Sequence, residues 1–219
     1  MRLFIQLLLL LISYLLGSIP WGFVFGKMKG IDIREHGSKN IGATNTGRIL
    51  GKKYAIITYI CDMVKGALIT SLFTTGLVSI EYCLFSPMLY GLAAVIGHTF
   101  PIYLGFKGGK AVATGGGVLL AYSPLLFVLG IGVFFVTLYK SKYVSLGSLM
   151  GTLTAFIGSI VLYIINSIVP FNPVYDMTFP IGVAIIAGII FIRHTSNIKR
   201  LKHHEEAQVN WGKKKAKVN

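Results

Sequence analysis

Seven apolar runs, separated by short polar stretches, constrain the fold of this chain more than any other feature of its sequence. They cover residues 3–25, 54–79, 84–104, 111–122, 124–139, 144–169 and 178–193. Several approach the roughly 20 residues that an α-helix needs to cross a bilayer, and only 13% of the 219 residues are charged. The sequence therefore predicts an all-α integral membrane protein with seven transmembrane helices. The first run is interpreted as a membrane helix rather than a signal peptide, because no small-x-small cleavage site stands out.

The fourth run is too short to cross a bilayer comfortably. It contains the triplet Gly115–Gly117 and is closed by Ser123 and Pro124. At about 1.5 Å per residue, it is well short of the roughly 30 Å of a hydrocarbon core. Short, glycine-broken helices at membrane depth usually line a site, because exposed backbone there must be satisfied by protein or water. The run is predicted to be either a half-helix buried among its neighbours or a helix shifted toward one face.

The basic residues occur in alternate connections. Of the 21 Lys and Arg residues, all except Arg2 and Lys65 lie in residues 27–53, 107–110 and 140–142 or from residue 193 onward. The intervening connections, near Glu81, Ser123 and Asn172, contain none. Because basic loops stay in the cytoplasm, this pattern predicts an outside amino terminus, a cytoplasmic carboxyl terminus and an odd number of crossings. It also accounts for the net charge of +14 without a nucleic-acid partner.

A single membrane-embedded domain is predicted for residues 1–206. Residues 207–219 contain Trp211 and the run Lys213–Lys215, which is the composition of a disordered basic tail at the membrane surface. Cys61 and Cys83 lie in or beside apolar runs without metal-ligand spacing, so neither a disulfide framework nor a metal site is predicted.

The first basic loop contains a glycine-rich segment, residues 37–51, with many hydroxyl and amide side chains. Arg48 follows closely on Thr44 and Asn45, which are suited to capping a helix. An arginine in the first turn of a helix opposes the helix dipole unless an anion is bound there. This segment is therefore interpreted as one wall of a phosphate site, and an ordinary flexible cytoplasmic loop is the alternative.

The second basic loop places Gly108 and Gly109 between Lys107 and Lys110, just before the short fourth run. Paired glycines let successive backbone amides point into one concavity that suits an anion. The loop is not a nucleotide-binding P-loop, since Leu104 and Ala111 stand where that motif needs glycine and Ser or Thr. It is interpreted as a second phosphate-binding wall.

Two charged residues and one histidine lie well inside apolar runs. Asp62 and Lys65 are three residues apart and therefore share a helix face. They are interpreted as a structural ion pair, with a role in the site as the alternative. His98 lies one turn before Pro101 and is interpreted as bonding the backbone that the proline frees, with catalysis as the alternative.

The last apolar run ends in a further polar cluster. His194 and Asn197 share a helix face at the predicted cytoplasmic boundary. Arg193 and Arg200 are interpreted as complements of the helix dipole and of anionic lipid. Ser145, at the cytoplasmic start of the sixth run, is either part of the same site or an ordinary helix-start serine.

Three segments and one short pattern together resemble a known family. They are residues 37–48, residues 97–114, residues 194–201 and the pattern Asp62-Met-Val-Lys-Gly66. In this order they are similar to the signature motifs of the bacterial acyl-phosphate:glycerol-3-phosphate acyltransferases. The resemblance extends over nearly the whole chain to about Glu206. It departs from the family at His204, where glycine is common.

The resemblance implies a seven-helix enzyme of the bacterial cytoplasmic membrane whose active site faces the cytoplasm. The enzyme transfers a fatty acyl group from acyl phosphate to the 1-hydroxyl of glycerol 3-phosphate, giving lysophosphatidic acid and phosphate, without a cofactor or an obligatory protein partner. Glu206 is implied as a structural carboxylate. The implied catalytic residues are Ser38, Arg48, Lys107, His194 and Asn197. The residues predicted to bind substrate or phosphate are Asn40, Thr44, Asn45, Gly108, Gly109, Lys110 and Ser145.

Both substrates carry a phosphate, which explains two basic loops at one site. Acyl phosphate is already activated, so positioning and charge stabilisation suffice without a covalent acyl-enzyme. His194 and Asn197 are predicted to orient glycerol 3-phosphate, while a substrate phosphate accepts the hydroxyl proton. A transporter of an organic phosphate is the alternative, although no internal repeat is visible. A basic scaffold that recruits anionic lipid would explain the tail but not the glycine-rich helix starts.

Overall fold

The computed structural model describes residues 1–79 and 82–209, and within these ranges the secondary structure is entirely helical. Most of the predicted basic tail, residues 210–219, and the connection residue Glu81 lie outside the described residues. The α-helices are α1 (Arg2–Ser18), α2 (Trp21–Lys27), α3 (Ala43–Leu50), α4 (Lys52–Thr74), α5 (Pro87–Thr99), α6 (Val112–Tyr122), α7 (Pro124–Ser141), α8 (Val144–Ile168), α9 (Thr178–Arg193) and α10 (Thr195–Lys202). A short 3₁₀ turn, Ile102–Leu104, follows α5.

The helices have the lengths and composition of an integral membrane protein. Among the described residues, α4, α7, α8 and the segment Pro87–Leu104 are long and apolar enough to cross a bilayer. The pairs α1 with α2 and α9 with α10 are each long enough together but bend by 45° and 57°. Helix α6 has only 11 residues. Four to six spans are thus supported by length and composition, and the fourth run is short as predicted.

The first apolar run is not one continuous helix, although a single helix was predicted for residues 3–25. Helix α1 ends at Ser18, and Ile19 adopts an extended conformation with ψ 115°. The physical reason is Pro20, which has no N–H to continue the hydrogen-bond ladder and disfavours helical geometry in the residue before it. Helix α2 then begins at Trp21.

Close backbone packing holds the short helix α6 against α4. A Cβ on Gly66 of α4 would overlap the Thr114 carbonyl, and a Cβ on Gly117 of α6 would overlap the Met63 carbonyl. Small residues of this kind let membrane helices approach each other closely. The contact fixes the amino-terminal end of α6 beside α4, and thereby positions the double-glycine loop that precedes α6.

The second residue after α10 has left-handed backbone geometry. His204 has φ 59°, and the amide of Glu205 donates to the Arg200 carbonyl at 2.8 Å, as in a Schellman cap. Glycine adopts this conformation without steric cost, which gives a physical reason for glycine at this position in the family that the chain resembles.

We expect His204→Gly to stabilise the protein by about 1 kcal/mol, because it removes the strain of a left-handed non-glycine residue. Thermal unfolding in detergent measures the effect. The matched control is His203→Gly, since His203 has right-handed geometry (φ −94°, ψ 6°) and gains nothing from glycine. A melting temperature that His204→Gly leaves unchanged or lowers would contradict the expectation.

Candidate active site

A polar cavity of about 1000 Å³ lies where α3, the loop before α6, the start of α8 and the junction of α9 with α10 meet. These parts of the chain are far apart in the sequence and correspond to the predicted motifs. The predicted site residues that line the cavity are Ser38, Asn40, Thr44, Asn45, Arg48, Lys110, Ser145, His194 and Asn197. The structure thus brings most of the predicted residues together. Three of them, Lys107, Gly108 and Gly109, are not among the lining residues.

The first wall of the cavity is shaped by the buried side chain of Asn45. Its Nδ2 donates to the carbonyls of Ile33 at 3.0 Å and Asn40 at 2.9 Å, and its Oδ1 accepts from the Ser38 amide at 2.8 Å. An amide side chain engaged on both sides has little capacity left for a ligand. Asn45 therefore positions the loop that carries Ser38 and Asn40, whereas the sequence predicted that it binds substrate.

Arg48 lines the cavity, but the reason given for it from the sequence is wrong. It was placed in the first turn of a helix, where a cation opposes the dipole. In the structure it lies in the last turn of α3, where a cation is favoured. The half-buried guanidinium remains a source of positive charge in the cavity wall.

The double-glycine loop does not present free amides to the cavity. The Gly108 amide donates to the Thr99 carbonyl at 3.1 Å, and the Gly109 amide donates to the His98 carbonyl at 3.0 Å. Both positions require glycine because a Cβ would overlap these carbonyls or the His98 ring. The predicted anion-binding concavity of amides is therefore absent in this conformation, since close packing occupies both donors.

Arg193 fixes the other side of the same loop. Its Nη2 donates to the Gly108 carbonyl at 2.7 Å and its Nε donates to the Gly109 carbonyl at 3.1 Å. The sequence interpretation assigned Arg193 to the helix dipole and to lipid, so this role was missed. Of the two lysines that flank the glycines, Lys110 is half-buried and lines the cavity, whereas Lys107 is exposed.

Lys110 begins a chain of polar contacts that crosses to α10. Its Nζ donates to Asn197 Oδ1, and Asn197 Nδ2 donates to Glu206 Oε1 at 2.6 Å. Arg200 Nε donates to Glu206 Oε2 at 2.7 Å. Burial alone would raise the pKa of Glu206, but the hydrogen bonds from Asn197 and Arg200 outweigh it and hold the pKa below its usual value. Glu206 thus acts as a buried anchor for Asn197, in agreement with the structural role that the resemblance implies.

His194 is buried at the bend between α9 and α10, and its ring has a defined tautomer. Nδ1 lies 2.8 Å from the Ile190 carbonyl, which can only accept a hydrogen bond. Nδ1 therefore carries the proton, and Nε2 of the neutral ring is left as an acceptor. A hydroxyl group bound in the cavity is a suitable donor to that nitrogen.

The buried charges of α4 form an ion pair at the edge of the cavity. Lys65 Nζ is 2.8 Å from Asp62 Oδ1 and donates to the Ile19 carbonyl at 2.7 Å, so the predicted ion pair is confirmed. Asp62 and His98 both line the cavity, with His98 Nδ1 3.6 Å from Asp62 Oδ1. The His98 ring thus faces a carboxylate instead of bonding backbone freed by Pro101. No sequence pattern links two residues this far apart.

A second cavity, of about 280 Å³, is lined by apolar side chains of α6 to α9. It shares Tyr59, Val112, Phe134 and Ser148 with the polar cavity, so the two cavities are adjacent. The pair offers cations and hydrogen-bond groups at one end and an apolar enclosure at the other. The fold and the site together are those of a helical membrane protein with a cationic cavity beside an apolar one.

Comparison with known proteins narrows this class. A sequence profile described as glycerol-3-phosphate acyltransferase matches residues 7–204. The glycerol-3-phosphate acyltransferase of Bacillus cytotoxicus is 46% identical over 212 residues, covering 96% of this chain and 98% of that protein. The corresponding protein of Bacillus subtilis is 45% identical over 205 residues, covering 93% and 97%. The chain therefore belongs to the glycerol-3-phosphate acyltransferase family.

Solved structures agree with this assignment. The crystal structure of PlsY (YgiH), an integral membrane glycerol 3-phosphate acyltransferase, in its glycerol 3-phosphate form is similar with a TM-score of 0.81 at 36% identity, covering 94% of this chain and 96% of that one. The lysophosphatidic acid form of the same enzyme gives a TM-score of 0.79 at 35% identity. These comparisons identify the chain as a membrane acyltransferase.

Proposed function

We propose that this protein transfers a fatty acyl group from acyl phosphate to the 1-hydroxyl of glycerol 3-phosphate, giving lysophosphatidic acid and phosphate. This reaction is the first acylation in phospholipid synthesis. The observation that carries the proposal is the junction of a cationic cavity with an apolar one in a member of this family. Each substrate has a phosphate to place in the polar cavity, and the donor also has an acyl chain to place in the apolar cavity.

In the proposed reaction, the glycerol hydroxyl oxygen attacks the acyl carbon. An ester bond forms, the bond between the acyl carbon and the phosphate oxygen breaks, and the hydroxyl proton passes to the departing phosphate. The acyl phosphate is already activated, so the protein has to align the two substrates and stabilise the charge that develops. No covalent acyl-enzyme is required.

Each wall of the cavity has a part in this reaction. Arg48 and Lys110 provide the positive charge that holds the phosphates and stabilises the oxyanion. His194 accepts a hydrogen bond from a glycerol hydroxyl at Nε2 and so orients the acceptor. Asn197, fixed by Glu206, holds the Lys110 ammonium in place. The resemblance implies that Lys107 is catalytic, and this remains a prediction. We assign the charge to Lys110 because Lys110 lines the cavity and Lys107 does not.

The orientation in the membrane is part of the proposal. We place seven crossings in the bacterial cytoplasmic membrane, with the amino terminus outside and both the carboxyl terminus and the active site facing the cytoplasm. The placement of the basic loops supports this orientation. In a protein whose Cys61 and Cys83 are replaced by serine, a cysteine in place of Lys140 should react with a membrane-impermeant thiol reagent only after the cells are permeabilised. Labelling of intact cells by this variant would overturn the orientation.

The reaction itself is tested with detergent-solubilised protein and palmitoyl phosphate. Phosphate release that depends on glycerol 3-phosphate, together with formation of lysophosphatidic acid, supports the proposal. Binding of glycerol 3-phosphate without any phosphate release would overturn it and favour the transporter alternative.

We expect kcat/KM to fall as the pH rises above about 8. Burial lowers the pKa of Lys110 to about 8; the carboxylate of Glu206 opposes this shift, while Arg200, Arg193 and Arg48 add to it. Below this pH the ammonium is charged and binds phosphate, and above it the charge is lost. Since kcat/KM reports the ionisation of the free enzyme, Lys110→Arg should move the fall to higher pH because arginine stays protonated. A fall at the same pH in both proteins would assign the titration to another group.

A further inference from the structure

The apolar cavity is lined by residues of six helices, and most of them lie on α6 to α9. On these four helices the lining spans eight or nine residues, which is about 10–12 Å of helix. It runs from Val112 to Leu119 on α6, from Phe135 to Phe127 on α7, from Gly147 to Ala155 on α8 and from Ile190 to Val183 on α9. The cavity thus starts beside the polar cavity and extends into the bundle.

Beyond this depth the interior is filled by aromatic side chains. Tyr122 lies one turn past Leu119 on α6, and Phe179 lies one turn past Val183 on α9. The two rings are stacked with centroids 5.1 Å apart, and both are buried. Close-packed aromatic rings give way only at a cost, so the stack closes the pocket.

Gly116 lies on the wall of this pocket, about 6 Å along α6 from Val112. Its neighbours in the sequence are explained by packing: a Cβ on Gly115 would come within 2.9 Å of Ile186, and a Cβ on Gly117 would overlap a backbone carbonyl. A Cβ on Gly116 would meet only the Phe127 ring, at 3.5 Å, which is ordinary contact. Glycine inside a helix is destabilising relative to alanine, and at this position packing gives no reason for it.

We propose that Gly116 determines how long an acyl chain the enzyme accepts. Because it has no side chain, it leaves open the half of the pocket that is farther from the polar cavity. The proposal rests on the acyl transfer proposed above. A larger side chain at residue 116 fills the part of the pocket that lies past Val112, so that a short acyl chain still fits and a long one does not.

The test is the ratio of kcat/KM for octanoyl phosphate to kcat/KM for butyryl phosphate, since eight carbons reach about the 10 Å depth of the lining and four carbons end before Gly116. A side chain that overpacks an apolar site excludes the longer ligand, so Gly116→Leu is expected to lower this ratio about 10- to 100-fold. Gly116→Ala is expected to lower it less. The matched control is Gly132→Leu on α7, since Gly132 is exposed, has no atom within 4 Å of its Cβ position and does not line the pocket. The control should leave the ratio unchanged.

The outcomes separate this proposal from the reaction itself. If the wild type releases no phosphate in response to glycerol 3-phosphate with palmitoyl phosphate or with either shorter donor, the proposed reaction is wrong. If the wild type is active and Gly116→Leu keeps its ratio, the role of Gly116 is wrong and the acyl chain lies elsewhere. If Gly116→Leu does not fold, Leu119→Ala decides, because it deepens the pocket and should raise the ratio; an unchanged ratio in that variant overturns the proposal.

Discussion

Replacing Lys110 by methionine is expected to lower kcat/KM about 100- to 1000-fold, the usual effect of removing one charge-stabilising donor from an active site. Methionine has a similar length and no charge, so the substitution removes the ammonium from the cavity and little else. Lys110 is the lysine of the second basic loop that lines the cavity, and its Nζ bonds Asn197. The assay of glycerol-3-phosphate-dependent phosphate release measures the loss. Size-exclusion chromatography in detergent tests whether the variant is folded.

The matched control for this prediction is Lys107→Met, three residues earlier in the same loop. Lys107 is exposed and is not among the residues that line the cavity. We expect this substitution to change kcat/KM by no more than a few fold, as for an exposed charge screened by solvent. A larger loss for Lys107→Met than for Lys110→Met would show that Lys107 is the catalytic lysine, as the resemblance implies. It would also show that the loop rearranges when substrate binds.

The sequence predicted those parts of the fold that depend on local pattern. Apolar runs, the shortness of α6 and the pairing of Asp62 with Lys65 follow from composition and from helical spacing. The polar segments that form the cavity were also predicted, because glycine, hydroxyl and basic residues are unusual beside membrane helices. The bend at Pro20 was missed because the run was assigned from its length and apolar composition, although a proline by itself indicates a helix break.

The sequence could not predict which atoms in these segments are free to bind a ligand. The amides of Gly108 and Gly109 would suit an anion in an isolated loop, but carbonyls of His98 and Thr99 occupy them. Asn45 likewise looked like a ligand-binding residue until its partners were known. In each case the deciding contact joins backbone or side chains whose separation depends on the tertiary fold, and local spacing contains no information about it.

The anchoring of Asn197 by Glu206 illustrates the same limit and its consequence for function. The two residues are nine positions apart, and the chain between them turns at His204. After that turn Ala207 still lines the cavity, and the Val209 amide donates to the Lys142 carbonyl at 2.8 Å. Residues 205–207 therefore contribute to a site whose other walls come from α3, the loop before α6, the start of α8 and the junction of α9 with α10.

The single substitution Arg48→Ala is also expected to lower kcat/KM about 100- to 1000-fold. Two phosphates in one cavity repel each other, and the Arg48 guanidinium lies in the cavity wall with donors suited to phosphate oxygens. Arg48→Lys should recover only part of the activity, because an ammonium cannot reproduce the planar fork of donors. The matched control is Lys52→Ala, since Lys52 is exposed at the start of α4 and lies outside the cavity. Activity of Arg48→Ala within threefold of the wild type, with Lys52→Ala equally active, would remove Arg48 from the reaction and leave Lys110 to neutralise both substrates.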